Sequence, residues 1–158
     1  MEEVFVQTPL GITAIKGDEN GIVAVSVLKD DTIKPSQHIP NALTDVVKQL
    51  EEYFAGIRQT FQLRLNPKGT DFQKSVWQEL LKISYGKTIS YLQLSRRLGD
   101  VKAIRAVAAA NGQNPLWIVV PCHRVVGSDG SLTGYAGGLW RKKWWLDHEN
   151  PYKQQTLF

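Results

Sequence analysis

Of the 158 residues, one is cysteine, and it stands in Pro121-Cys122-His123-Arg124. A lone cysteine is most often a small buried hydrophobe, but its neighbours here point to reactivity. Pro121 fixes the backbone just ahead of the thiol. His123 and Arg124 put a switchable and a permanent cation beside it, surroundings that favour the thiolate, the form that attacks electrophiles. Histidine can also move protons near neutral pH. A single thiol excludes an internal disulfide and a cysteine-rich zinc site and fits a reducing compartment. The formal net charge of +4 permits nucleic-acid binding without showing it. Met1-Glu2-Glu3 has neither the basic nor the apolar region of a signal peptide, and no apolar run approaches the roughly 20 residues of a membrane span.

The elements that must present this cysteine fall into two parts. Residues 4 to 28 alternate apolar and polar positions between turn signals, which predicts a three-stranded antiparallel meander. A helix over 42–55 follows, with Leu43, Val46, Val47, Leu50 and Phe54 at helical spacing, Asn41 as N-cap and Gly56 just past its end. A short strand is expected at Phe61 to Leu65. Asn66-Pro67-Lys68-Gly69 then breaks the pattern and marks a boundary between 1–66 and 67–158.

The second part opens with a capping-box pair, Thr70 and Gln73, ahead of a helix whose Phe72, Val76, Leu80 and Ile83 share a face. A second box, Ser90 with Gln93, opens a short helix to about 98. Gly99-Asp100 makes a tight turn, and a third helix starts near Lys102. Two short helices about such a turn form a helix-turn-helix signature, a pattern that two merely packed helices share. In the third helix Ile104, Val107 and Ala108 suit a buried face, leaving Arg105, Ala106, Ala109 and Ala110 on the other. Alanines are good helix formers. They also let a helix lie close against another surface, with an arginine projecting into it. The apolar run Leu116-Trp117-Ile118-Val119-Val120 reads as a buried strand or extended segment delivering Cys122 to a turn. A glycine-rich loop, 127 to 138, leads into a last helix at about 139–148 carrying Trp140, Trp144, Trp145 and Leu146.

Pro121-Cys122-His123-Arg124-Val125 resembles the active-site motif of the O6-alkylguanine-DNA alkyltransferases, also called methylated-DNA–protein-cysteine methyltransferases. Ile89-Ser90-Tyr91, Arg105-Ala106-Val107, Asn114-Pro115, Gly134-Tyr135-Ala136-Gly137-Gly138 and His148-Glu149 resemble the family's other motifs, in order and at suitable spacing. The resemblance is clear from about 70 to 150. It implies an α/β N-terminal subdomain (a three-stranded antiparallel sheet plus a helix) packed on a mainly helical, winged helix-turn-helix-like C-terminal subdomain. It also implies a function: direct reversal of O6-alkylguanine damage, and possible action on O4-alkylthymine, by single-turnover transfer of the alkyl group to Cys122.

By that resemblance, Glu149 orients His123, which acts through a water on Cys122, the logic of an oriented base beside a nucleophile. Tyr91 donates to the departing base, offsetting the charge that develops there. Asn114 holds the turn that presents Cys122, and the carbonyls of Cys122 and Val125 read the exocyclic amine. The second helix of the helix-turn-helix enters the minor groove on Ala106, Ala109 and Ala110, with Lys102 near phosphates. Arg105 fills the space of the target nucleotide, which is flipped into a pocket lined by Tyr135, Ala136, Gly137, Val125 and Trp117. Ala136 stands where some members have serine, and Trp117 is bulky for a pocket wall. The implied partner is double-stranded DNA carrying O6-alkylguanine, met by a monomer with no cofactor, metal, membrane or obligate protein partner. The implied place is the cytoplasm of a microbe, or the nucleus if the source is eukaryotic.

Three rivals compete. A non-catalytic relative that only flags alkylated DNA lacks the cysteine, typically carrying tryptophan there. A helix-turn-helix regulator with a sensing cysteine reads the major groove through polar side chains, which the alanine-rich face fits poorly. A cysteine hydrolase needs an oxyanion hole beside a positioned histidine, which the residues alone do not exclude.

Overall fold

The computed structural model describes residues 1–132, 135 and 137–150. The chain divides into two compact units: Met1–Lys68 with Pro115–Val119, and Gly69–Asn114 with Val120 onward. The sequence places a single cut at 66/67, whereas the chain sends residues 115–119 back to the first unit.

In the first unit, β1 (Glu2–Thr8), β2 (Gly11–Asp18) and β3 (Gly21–Val27) form an antiparallel sheet in the order β1-β2-β3. Register sets Val4 opposite Ile15 and Ile15 opposite Val25, and all three are fully buried. A one-residue slip would turn this row to the other face. Gly21 has φ +133°, and a Cβ there would lie 2.9 Å from the Arg64 carbonyl oxygen, so the position requires glycine. Helix α1 (Thr44–Phe54) buries Val46, Val47, Leu50 and Tyr53. Each fully buried aliphatic side chain contributes about 1.5–3 kcal/mol.

Two expectations for this unit fail. Asn41 does not cap α1: it opens a 3-10 turn, Asn41–Leu43, and α1 starts at Thr44 with no side-chain cap. Pro40, with φ −56°, begins the turning early, and its carbonyl accepts from the Leu43 N–H at 2.9 Å. No strand forms at Phe61–Leu65. Leu65 makes an isolated bridge to Ile22, and Gln49 takes up the segment's backbone instead, donating Nε2–H to the Gln62 carbonyl and accepting the Gln62 N–H.

The second unit starts with α2 (Asp71–Leu80), whose capping box between Thr70 and Gln73 is complete. Its buried residues are Val76, Trp77 and Leu80; Phe72 is exposed. Trp77 takes the interior place because its Nε1–H reaches the Ala110 carbonyl at 2.8 Å. Helix α3 (Tyr91–Arg97) has the second complete box, Ser90 with Gln93. Gly99, at φ +86°, supplies the left-handed residue that ends it. A 3-10 turn, Val101–Ala103, then leads into α4 (Ile104–Gly112). Two short parallel strands, β4 (Ile89–Ser90) and β5 (Val125–Val126), join the start of α3 to the segment after the cysteine, a pairing the sequence reading missed. Helix α5 (Leu139–Glu149) closes the described chain. Among the described residues no helix is long and apolar enough to cross a membrane.

The run before Cys122 is not a strand. Leu116 makes one bridge to Val25, after which the chain turns, with Ile118 at φ +73°. A β-branched residue with positive φ is a strained outlier, so the apolar character of this run reflects burial rather than extension.

Candidate active site

Cys122 begins a 3-10 turn, Cys122–Arg124, entered from Pro121 at φ −81°. Its N–H donates to the Val120 carbonyl at 2.8 Å, and Asn114 Nδ2 donates to the same oxygen at 2.9 Å. Asn111 Nδ2 lies 3.4 Å from the Cys122 carbonyl, which also accepts the Val125 N–H. Two amides at the end of α4 thus brace the turn from one side, and the β4–β5 pairing, Ile89 opposite Val125, holds its exit. That pairing also brings the turn to the start of α3, where Tyr91 sits.

The thiol is 3% exposed and points its Sγ at the Tyr135 hydroxyl, 3.8 Å away. Burial pushes the Cys122 thiol up, outweighing the lowering influence of Asn114, Tyr135 and Lys142. The resting group is therefore the thiol, and the thiolate expected from His123 and Arg124 is not the ground state. Both neighbours are engaged by Glu149. His123 Nε2 lies 2.7 Å from Glu149 Oε2, and Arg124 Nε donates to Glu149 Oε1 at 2.7 Å.

All three of these side chains are buried. Burial raises the Glu149 carboxyl, but His123 and Arg124 outweigh it and hold it at about 2. Burial depresses His123 and, together with Arg124 and Lys142, outweighs the lift from the Glu149 carboxylate. The pair at neutral pH is an ionised carboxylate and a neutral imidazole. A carboxylate can only accept, so Nε2 carries the ring proton. The Nδ1 lone pair has no hydrogen-bond partner among the described residues and is the ring's basic site.

Lys142 is a cation whose charge acts on the reacting group, and it was absent from the sequence reading. Fully buried, it places Nζ 3.5 Å from the Tyr91 hydroxyl and 5.7 and 5.8 Å from the ring centres of Tyr91 and Tyr135. Burial lowers its ammonium to about 8 against the opposing pull of Cys122. The signal was present as spacing: Lys142, Trp145 and Glu149 lie three and four residues apart, on one helical face, and all three are buried.

Known proteins decide the family. Residues 71–151 match the model of the 6-O-methylguanine DNA methyltransferase DNA-binding domain, and residues 1–67 match that of its ribonuclease-like domain. The chain belongs to the 6-O-methylguanine DNA methyltransferase family. A methylated-DNA–protein-cysteine methyltransferase of Methanosarcina barkeri is 44% identical over 149 residues, 92% of this chain and 94% of the relative. The constitutive Bacillus subtilis protein of that name is 45% identical over 139 residues, 83% of this chain and 84% of its own. Mycobacterium tuberculosis OGT, solved in complex with DNA, superposes with a TM-score of 0.83 at 38% identity and covers 98% of each chain.

Within this methyltransferase chain the expected site residues are distributed unevenly. Cys122, His123, Asn114, Val125, Glu149 and Gly137 are buried and Tyr91 and Tyr135 half-buried, all in the second unit. The Gly137 carbonyl accepts from Arg141 Nη1 at 2.9 Å. Arg105, Ala106, Ala109 and Lys102 are exposed. Ala110 is not: it is 2% exposed, because it lies three residues from buried Val107 and turns to Trp77. Trp117 belongs to the first unit, where its N–H donates to the Val25 carbonyl at 3.0 Å. Ala136 lies outside the described residues. Besides Lys142, the sequence reading missed Arg124 as a partner of Glu149 and Asn111 as a brace of the turn.

Proposed function

We infer that this chain is a direct-reversal DNA repair protein that moves the alkyl group of O6-alkylguanine in double-stranded DNA irreversibly onto Cys122. The observation that carries the reading is a single cysteine, on a braced turn beside a buried carboxylate–imidazole pair, in a 6-O-methylguanine DNA methyltransferase chain. In the reaction the Cys122 sulfur forms a bond to the alkyl carbon, the bond from that carbon to guanine O6 breaks, and guanine leaves. His123, oriented by Glu149, takes the thiol proton through a water. Tyr91 donates to the departing base, and the Lys142 ammonium, beside both Tyr91 and Cys122, offsets the negative charge of thiolate and leaving group. The thioether product offers no leaving group comparable to guanine, so each molecule acts once. Thiol and substrate supply every atom, and no cofactor takes part.

DNA meets the exposed face of α4. Ala106 and Ala109 permit close approach in the minor groove, Lys102 pairs with phosphate, and Arg105 replaces the extruded nucleotide in the stack. The flipped base lies against Tyr135, Gly137 and Val125. Activity extends to O4-alkylthymine, and the protein works as a monomer where the DNA is, in the cytoplasm of a microbial cell. A duplex carrying one O6-methylguanine tests the reading through recovery of unmodified guanine and through binding. Cys122→Ala should bind the duplex and restore no guanine. Restoration by that variant would remove Cys122 from the chemistry. Arg105→Ala should repair the duplex much more slowly than an isolated O6-alkylguanine base. An equal loss on both would remove the finger role.

A further inference from the structure

The Glu149 carboxylate carries three donors. Besides His123 Nε2 at 2.7 Å on Oε2, Arg124 reaches it with Nε on Oε1 at 2.7 Å and Nη2 on Oε2 at 3.1 Å. The remaining arm, Nη1, donates to the Ile83 carbonyl at 2.6 Å, and the guanidinium lies over the Tyr85 ring, 5.7 Å from its centre. Arg124 is thus held in place at every nitrogen, which no surface ion pair would require.

This arrangement decides where a proton sits. A buried carboxylate alone beside an imidazole draws a second proton onto the ring, because an ion pair in a low-dielectric interior is strongly attractive. Here the guanidinium already neutralises that carboxylate, and a charged imidazole would leave an unmatched cation in the interior, at a cost of several kcal/mol. The charged and titratable groups around the ring act in the same sense. Burial opposes a proton on His123 most, Arg124 of the cysteine turn and Lys142 of α5 oppose it in the same sense, and among the described groups Glu149 of α5 favours one. Cys122 is uncharged at rest, as is the phenol of Tyr85 ahead of β4, and Tyr91 of α3 and Tyr135 of the loop lie on the Lys142 side. The Trp145 ring, 5.6 Å from the imidazole, closes another side with no charge.

We propose that Arg124 is a positioning residue for the transfer step: by occupying Glu149 it keeps His123 neutral, with the proton on Nε2 and Nδ1 left as acceptor. On the reading above, in which His123 takes the Cys122 proton, the ring is then ready over the whole neutral range. Glu149 contributes orientation, and Arg124 prevents that orientation from becoming protonation.

The test uses the full chain labelled with 15N-histidine and duplex carrying O6-methylguanine. In the unaltered protein His123 should still show the neutral, Nε2-protonated ring at pH 6.5, the ordinary imidazole value, and the transfer rate should be level from pH 8 to that point. In Arg124→Gln the ring should become imidazolium at a higher pH than in the unaltered protein, and the rate should fall by about tenfold per pH unit below that point. Arg124→Lys restores the charge without the fork, and should restore the level profile at a lower rate. An imidazolium His123 at pH 6.5 in the unaltered protein overturns the proposal whether or not the variants fold. So does a folded Arg124→Gln with a neutral ring and a level profile, which would make Arg124 structural only. A neutral ring in a protein that transfers no methyl group would instead contradict the proposed function and leave the role of Arg124 in protonation standing.

Discussion

Both units have an apolar core, but they differ in the polar side chains they bury. In the first, the described buried polar residues are Thr8, Thr13 and Gln49, and everything else inside is apolar or aromatic. In the second, His123, Arg124, Lys142 and Glu149 are all buried, along with Ser95, Asn111 and Asn114. Apolar burial stabilises without direction. Buried charge stabilises little or costs free energy, yet it fixes protonation state and orientation. The first unit is therefore built as a source of stability, and the second carries a cluster whose justification is chemical.

That contrast can be broken in four ways. The largest effect belongs to Cys122→Ala: transfer should vanish while thermal stability shifts by only about 1 kcal/mol, since a small buried side chain is lost. A large destabilisation would make the cysteine a core residue first. Leu50→Ala, in the apolar unit, should do the reverse, costing about 2–5 kcal/mol by denaturant unfolding while each folded molecule still accepts its alkyl group at the normal rate. A third effect separates the units by pH. The His123 imidazole is depressed below its usual 6.5 and the Glu149 carboxyl below its usual 4.5, to about 2. As pH falls from about 6.5 toward 2 the unfolded chain therefore binds more protons than the native one, and stability drops. Replacing Glu149 and His123 together by Gln and Phe should flatten that dependence, whereas an unchanged slope would locate the acid sensitivity elsewhere. The smallest effect is at the helix start: Thr70→Ala removes half of the α2 capping box and should cost about 1 kcal/mol without touching the reaction rate.

Legibility in the sequence follows the same divide. The meander and both capping boxes were readable because alternation and local side-chain-to-backbone bonds are properties of neighbours in the chain. The strand at Phe61–Leu65 failed because Gln49, from a different element, took its backbone bonds. Ala110 failed because the tryptophan that claims its carbonyl lies 33 residues away. In the site, the cysteine motif identified the nucleophile, and His148-Glu149 identified the carboxylate by resemblance alone. The sign of the electrostatics was misread: adjacency in Pro121-Cys122-His123-Arg124 suggests cations facing the thiol, whereas the turn directs His123 and Arg124 to Glu149. The cation that does lie near Cys122 comes from α5, 20 positions on, and only its spacing with Trp145 and Glu149 hinted that Lys142 points inward.

The central claim is that Cys122 is consumed by the reaction. Intact mass of the full chain, after incubation with excess duplex carrying one O6-methylguanine, reads it directly. A single gain of about 14 Da, one methylene, mapped to Cys122 and never exceeded at any excess of duplex, is the predicted result. Restored guanine in molar excess over protein, or tight binding to the same duplex with no gain in mass, would contradict it.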